Sequence, residues 1–147
     1  MSTLGISCLA LAILTLGCRG PTFTFPGGAL DGPVATVPTD WASKGDSGMA
    51  QLETDPVDPY SVNLLFTVVS GALYINAGDT ETRWVQNIAA NPDVRLRIEG
   101  TLYELRAKRV EDAATIAAFA EAWTSQSSFR RNPSELDQVW IYRLVAR

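Results

Sequence analysis

Between Leu73 and Val110 the chain reads LYINAGDTETRWVQNIAANPDVRLRIEGTLYELRAKRV, and the order of signals in this run leaves few folds open. Alternation predicts a strand over Leu73 to Ala77, which runs into a polar turn from Gly78 to Arg83. A short helix begins near Trp84, where Thr80 or Thr82 can cap it by accepting a bond from an unpaired first-turn amide. It stops at Asn91-Pro92, because Asn tolerates a left-handed cap and Pro cannot continue a helix. Two alternating strands follow, Val94 to Ile98 and Leu102 to Val110, joined by Glu99-Gly100-Thr101. Val94, Leu96 and Ile98 share one face, as do Tyr103, Leu105 and Ala107, with charged residues on the other.

The flanking sequence supplies the rest of a sheet. Met49 to Thr54 reads as an edge strand, and Asp55-Pro56-Val57-Asp58-Pro59 as a turn, since the residue before each proline is pushed out of the helical region. Tyr60 to Val69 is β-branched and aromatic, and Ser70-Gly71 connects it tightly to Ala72 through Asn76 as a hairpin. Glu111-Asp112 opens a longer helix with negative charge at the positive end of its dipole. Ile116, Phe119, Ala120 and Trp123 form its apolar stripe. After a polar loop from Thr124 to Pro133, Val139 to Val145 makes a final strand. Together these predict a mainly β domain with two helices (α+β): six strands, mostly antiparallel, in a small barrel whose ends the helices cover.

Upstream the composition changes twice. The first eighteen residues, MSTLGISCLALAILTLGC, carry no charge, and the apolar run from Leu4 to Gly17 has the length of a signal-peptide core rather than of a bilayer span. It ends at Gly17-Cys18. That resembles the lipobox of bacterial lipoproteins, in which the cysteine after a small residue is lipidated, although no Lys or Arg precedes the run and Thr15 stands where an aliphatic residue is usual. Cys8 and Cys18 are the chain's two cysteines, so cleavage before Cys18 leaves one thiol at the mature N-terminus; a Cys8–Cys18 disulfide is the alternative. From residue 19 to 46, Pro, Gly, Thr and Ala predominate, as in a tether. Phe23, Phe25 and Trp41 are too apolar for a pure spacer, and Val34 to Trp41 is the portion expected to dock. The expected organisation is therefore a lipoprotein signal peptide over 1–18, a tether over 19–46 and the barrel domain over 47–147. It implies export and lipid anchoring at the cell envelope.

With 147 residues and a net charge of −4, the chain suits one domain and gives nucleic acid no electrostatic footprint. It has no histidine, which removes Ser-His-Asp and Cys-His nucleophile systems and His-ligated metal sites. No metal site and no catalytic nucleophile or tuned general acid is identified. The polar turn is the leading candidate site. A helix N-terminus offers free amides and a positive dipole to a phosphate, Thr80 and Thr82 add hydroxyls, Gly78 permits close approach and Arg83 can pair with phosphate oxygens. Asp79 and Glu81 oppose an anion there, and an ordinary capped helix with a solvated arginine is the competing reading.

Trp84 and Asn87 lie on adjacent helical turns, available to core, backbone or ligand. Asn63 and Thr67 share a face of their strand, and with Asn76 across the hairpin they line either a ring-binding cleft or a solvated surface. Arg95, Arg97, Arg106 and Lys108 form a basic cluster read as cross-strand ion pairs with Glu99 and Glu104. Arg130 and Arg131 reach either a ligand or solvent.

The segment RWVQNIAANPDVRLRI, with its preceding turn and the following YELRAKRV, resembles the split-barrel flavin-binding proteins of the pyridoxamine 5'-phosphate oxidase type. It is most similar to their deazaflavin-dependent nitroreductase-like subgroup. The resemblance extends more weakly from about Ala50 to the C-terminus. It implies a six-stranded antiparallel split β-barrel that binds FMN, or a related flavin or deazaflavin, non-covalently at a homodimer interface. Asn63, Thr67, Asn76, Thr80, Thr82, Arg83, Trp84 and Asn87 are the cofactor-binding candidates. The implied activity is two-electron redox of a small molecule, the cofactor carrying the chemistry. The alternative on the same fold is a non-enzymatic envelope module that binds a small ligand or partner; a purely structural lipoprotein is a third reading.

Overall fold

A computed structural model describes residues 20–136 and 138–147; residues 1–18, Cys18 included, lie outside the described part. The six strands are β1 (Ser47–Thr54), β2 (Tyr60–Val69), β3 (Ala72–Ala77), β4 (Asp93–Ile98), β5 (Thr101–Arg109) and β6 (Trp140–Ala146), with helices α1 (Arg83–Ala90) and α2 (Ala113–Ser125). Every pairing is antiparallel and the sheet closes in the order β1-β2-β3-β6-β5-β4. The expectation of an edge strand over Met49 to Thr54 is corrected by closure: β1 pairs with β2 on one side and β4 on the other, so its backbone groups find partners on both edges.

Two two-residue hairpins set the registers. Ser70 and Gly71 both take positive φ (50° and 76°), as do Glu99 and Gly100 (49° and 81°). That is the mirror-image turn whose twist matches the strands it joins. With registers fixed, alternate residues point inward. Leu52, Phe66, Leu73, Ile75, Val94, Leu96, Leu105 and Leu144 fill the barrel, all nearly or fully buried.

The ends close differently from expectation. The α1 helix plugs one end, inserting Val85 and Ile88 with Trp84 alongside. The α2 helix covers no end. It lies on the outer face, where Phe119 packs on Tyr74 and Ile141, with Val69, Ala72, Ile116 and Trp123 around them. Its start is as expected, with the Asp112 carboxylate accepting from the Thr115 amide at 2.9 Å. That bond holds the Asp112 pKa below its ordinary value.

The second end is covered by residues expected to form a tether. Trp41 is 3% exposed, donates its amide to the Gly71 carbonyl and sets its ring edge-on to Tyr103, centroids 5.0 Å apart. Residues 20–46 are a strap rather than a free spacer. Gly27 exchanges two backbone bonds with Ser61, and Pro33 and Ala35 bond both backbone groups of Leu102. Leu30 is buried, its amide donating to Glu53 Oε2 at 2.5 Å and its carbonyl accepting from Arg95 Nη2 at 3.1 Å. Val34 to Trp41 docks, and so does the stretch before it.

Candidate functional site

The turn from Gly78 to Arg83 leaves the sheet where Ala77 pairs with Trp140. It is held by its own side chains. Asp79 Oδ1 accepts from the Glu81 amide at 2.8 Å, Thr82 Oγ1 donates to the Asp79 carbonyl at 3.2 Å, and Gln86 Nε2 donates to the Thr80 carbonyl at 3.0 Å. Thr82 occupies the N-cap position of α1 but its hydroxyl accepts nothing from the helix, which corrects the expected Thr cap. At the other end Asn91 is extended (φ −147°, ψ 111°), not left-handed. Gly78 has open space where a Cβ would stand, so its lack of a side chain answers no crowding. Arg83 is engaged twice. Its Nη2 lies 2.8 Å from Asp58 Oδ2, and its guanidinium sits 4.5 Å over the Tyr60 ring.

The remaining candidates divide between two places. Trp84 and Asn87 belong to the plugged barrel end: the Trp84 ring lies 6.0 Å from that of Tyr142, and Asn87 Nδ2 donates to Thr54 Oγ1 at 2.9 Å. Thr54 donates in turn to the Tyr60 carbonyl, so Asn87 ties α1 to the β1–β2 hairpin. Asn63, Thr67 and Asn76 lie on the outer face. Thr67 pairs with Tyr74 under α2 and is 1% exposed, and its hydroxyl has no hydrogen-bond partner among the described residues. Asn63 donates to the Phe23 carbonyl of the strap at 2.8 Å. Leu65 and Asn76, one step past the Phe66–Ile75 pair, stay half-buried, with Met49 beside Leu65 at 62% exposure. Asn76 immediately precedes Ala77 and Gly78, so this face runs directly into the polar turn.

The three arginines of the basic cluster are engaged, though not as expected. Arg95 stands opposite Glu104 in register yet grips Glu53 with two bonds, 2.7 and 2.6 Å. Arg97 bonds Gln51 and the Asp31 carbonyl, and Arg106 bonds Asp93 at 2.8 Å. Arg106 thereby holds the Asp93 carboxyl below its ordinary value. Glu99 reaches Lys44 of the strap, 3.6 Å away. Arg130 lies 4.1 Å over the Trp123 ring and bonds Gln126, which ties the loop to α2.

One pair escaped the sequence reading. Arg109 occupies an inward register position at the end of β5, opposite Tyr142, and stacks 3.8 Å over the Trp140 ring. A charge where the alternation calls for an apolar residue was the available signal. Beside it lies a cavity of about 390 Å³ lined by Arg109, Ile116, Pro133, Leu136, Trp140 and Ile141. Ile141 pairs with Asn76 across β3–β6, so the cavity and the Asn76 face adjoin. Burial pushes the Tyr142 hydroxyl above its ordinary pKa, with Arg109 pulling the other way. Among the described residues no group of acidic, Cys or His side chains could hold a metal.

A closed six-stranded antiparallel barrel, plugged by a helix after its third strand and carrying a second helix on its outer face, defines a split β-barrel of the pyridoxamine 5'-phosphate oxidase-like class. Within it, this chain belongs to the F420H(2)-dependent quinone reductase family, whose profile matches residues 51–141, more than half of the sequence. Comparison with the sequences of curated proteins finds no match.

Among solved structures the chain is similar to a conserved hypothetical protein from Mycobacterium tuberculosis (TM-score 0.56, 16% identity, 81% of this chain and 86% of that one). It is also similar to general stress protein 26 from Bacillus anthracis (0.52, 20%, 69% and 81%) and to a FAD-binding protein from Mesorhizobium loti (0.50, 16%, 67% and 78%). At these identities the likeness is one of fold.

Proposed function

We propose that this chain is a redox protein holding FMN or a related deazaflavin non-covalently, its ring on the Leu65–Asn76 face and its phosphate at the Gly78–Arg83 turn. The observation that carries the reading is the family match over residues 51–141, which takes in this face and this turn. The residues fit the group on physical grounds. Leu65 offers apolar surface and Asn76 an amide that both donates and accepts, as a heteroaromatic ring with polar edges requires.

Arg83 is taken by Asp58, but both side chains are largely exposed (52% and 80%), and such a pair is worth about 0–1 kcal/mol. A charge-assisted bond to phosphate is worth about 1.5–3 kcal/mol, so phosphate displaces Asp58. Bound there, the cofactor would supply two-electron hydride chemistry. The chain's part is to orient the ring, to shield one face of it, and to offer the Arg109–Trp140 cavity across β6 to a small planar molecule.

A second reading keeps the barrel without catalysis, as a binding module. It is favoured by Asp79 and Glu81, which leave the turn acidic once Arg83 is counted. A contrast of ligands separates the two. Arg83→Ala should weaken FMN roughly tenfold or more and leave riboflavin, which lacks the phosphate, unchanged. Equal losses for both make Arg83 a plain helix-end arginine.

Two further elements complete the proposal. With Met49 exposed and Leu65 and Asn76 half-buried, a ring on this face has protein on one side only, and a second copy of the chain would supply the other. Light scattering at micromolar concentration should then give a dimer, and a monomer would remove this element. The uncharged run ending at Cys18 supports lipid anchoring at the envelope. Cys18→Ser should abolish lipid labelling, and unchanged membrane attachment would argue against the anchor. Among the described residues no helix is long and apolar enough to cross a membrane.

A further inference from the structure

The strap opens with a tight turn in which Thr22 and Phe25 exchange both backbone bonds, 3.0 and 2.9 Å. Its two aromatic side chains point away from the protein: Phe23 is 88% exposed and Phe25 73%. Phe23 sits at φ +51°, a left-handed conformation uncommon for a bulky residue. The turn is nonetheless pinned, because the Phe23 carbonyl accepts from Asn63 and the Pro21 carbonyl from Gln51. Burying either ring would relieve exposed apolar surface, yet the protein holds both outward on a fixed base.

What precedes the turn says what covers it. Eighteen uncharged, mostly apolar residues end at Cys18, five residues before Phe23. Five residues of chain span at most about 18 Å. A chain anchored at Cys18 therefore keeps this tip within reach of the lipid surface, where exposed apolar side chains gain by leaving water. The net charge of −4 offers little attraction to anionic headgroups, so contact depends on apolar insertion.

We propose that Phe23 and Phe25 insert into the membrane interface as a second foothold beside the lipid on Cys18. This rests on the anchoring reading given above, and it adds a contact in the folded domain that fixes which side of the barrel faces the bilayer.

The test uses the full chain with vesicles of phosphatidylcholine brominated along the acyl chain, which quench indole fluorescence only within the bilayer. Phe25→Trp adds an indole at the tip, and Phe129→Trp adds one at a position 95% exposed but carried beyond α2; the parent protein supplies the background. The Phe25→Trp increment should fall about twofold or more relative to unbrominated vesicles, and the Phe129→Trp increment should stay unchanged. Mass spectrometry of Cys18 is read in parallel. A lipidated chain whose tip indole stays unquenched overturns this inference and leaves the anchor standing. An unlipidated chain whose tip is quenched by added vesicles overturns the anchor, and with it the role as a second foothold, and leaves standing the insertion of Phe23 and Phe25 into the interface. A tip indole that is shielded without lipid, in a chain of doubled mass, assigns the aromatics to a second copy and overturns the inference.

Discussion

Removing the Glu53 carboxylate should release the strap, and its cost can be worked from the bonds it makes. The side chain is 6% exposed and accepts three bonds, one from the Leu30 amide and two from Arg95, whose own side chain is 27% exposed. The hydrogen bond to Glu53, opposed by desolvation, pushes the Arg95 pKa above its already high value. Breaking a buried pair costs about 3–5 kcal/mol, because the survivor is left charged and unpaired. Arg95 retains some water, which brings the expected loss for Glu53→Ala to about 2–4 kcal/mol, read as a urea midpoint lower by about 1–2 M.

The same substitution leaves the Leu30 amide without an acceptor, so Leu30, 2% exposed in the parent, should become a chymotrypsin site. The double variant Glu53→Ala/Arg95→Ala should cost less than the sum of the single changes, since it leaves no stranded charge. A midpoint shift below about 0.5 M with Leu30 still protected would refute the reasoning. The strap would then be held by Trp41, its backbone bridges and the bonds from Asn63 and Arg97 to its carbonyls.

Asp58→Asn should free Arg83 and tighten FMN up to about fivefold with riboflavin unchanged; a titration in which FMN weakens instead would show that Asp58 positions Arg83. Thr67→Val should stabilise the apo protein by about 1 kcal/mol in urea unfolding, because the hydroxyl it removes is buried without a partner among the described residues. A destabilisation of similar size would mean that the Thr67 hydroxyl is bonded in the folded protein.

The barrel was legible because its signals are local. Val94, Leu96 and Ile98 alternate with arginines, both two-residue hairpins carry glycine, and Pro92 ends the helix, so the strand boundaries from sequence and structure agree within a few residues. Closure was less legible. Nothing local in β1 announces that Leu52 pairs with Leu96 as well as Val62. The strap was hidden by composition: proline and glycine mask the buried anchor Leu30, whose backbone partners come from Glu53 and Arg95, 23 and 65 residues away. The site suffered most. The residue types were identifiable, but what each side chain bonds depends on pairings such as Arg83 with Asp58 and Asn87 with Thr54, separated by 25 and 33 residues. Asn87 thus became a tie between α1 and the first hairpin, and Arg109 went unnoticed until strand register placed it over Trp140.

The most direct test of the central claim is a titration of the purified protein with FMN and, separately, with the deazaflavin F420, followed by visible circular dichroism. Neither free cofactor is held in one asymmetric environment, whereas a ring fixed on the Leu65–Asn76 face gains an induced signal that saturates at one cofactor per chain. The account expects such a signal from at least one of the two and its weakening by Arg83→Ala. A flat dichroism trace for both cofactors up to about 1 mM, where even weak binding registers, would contradict it.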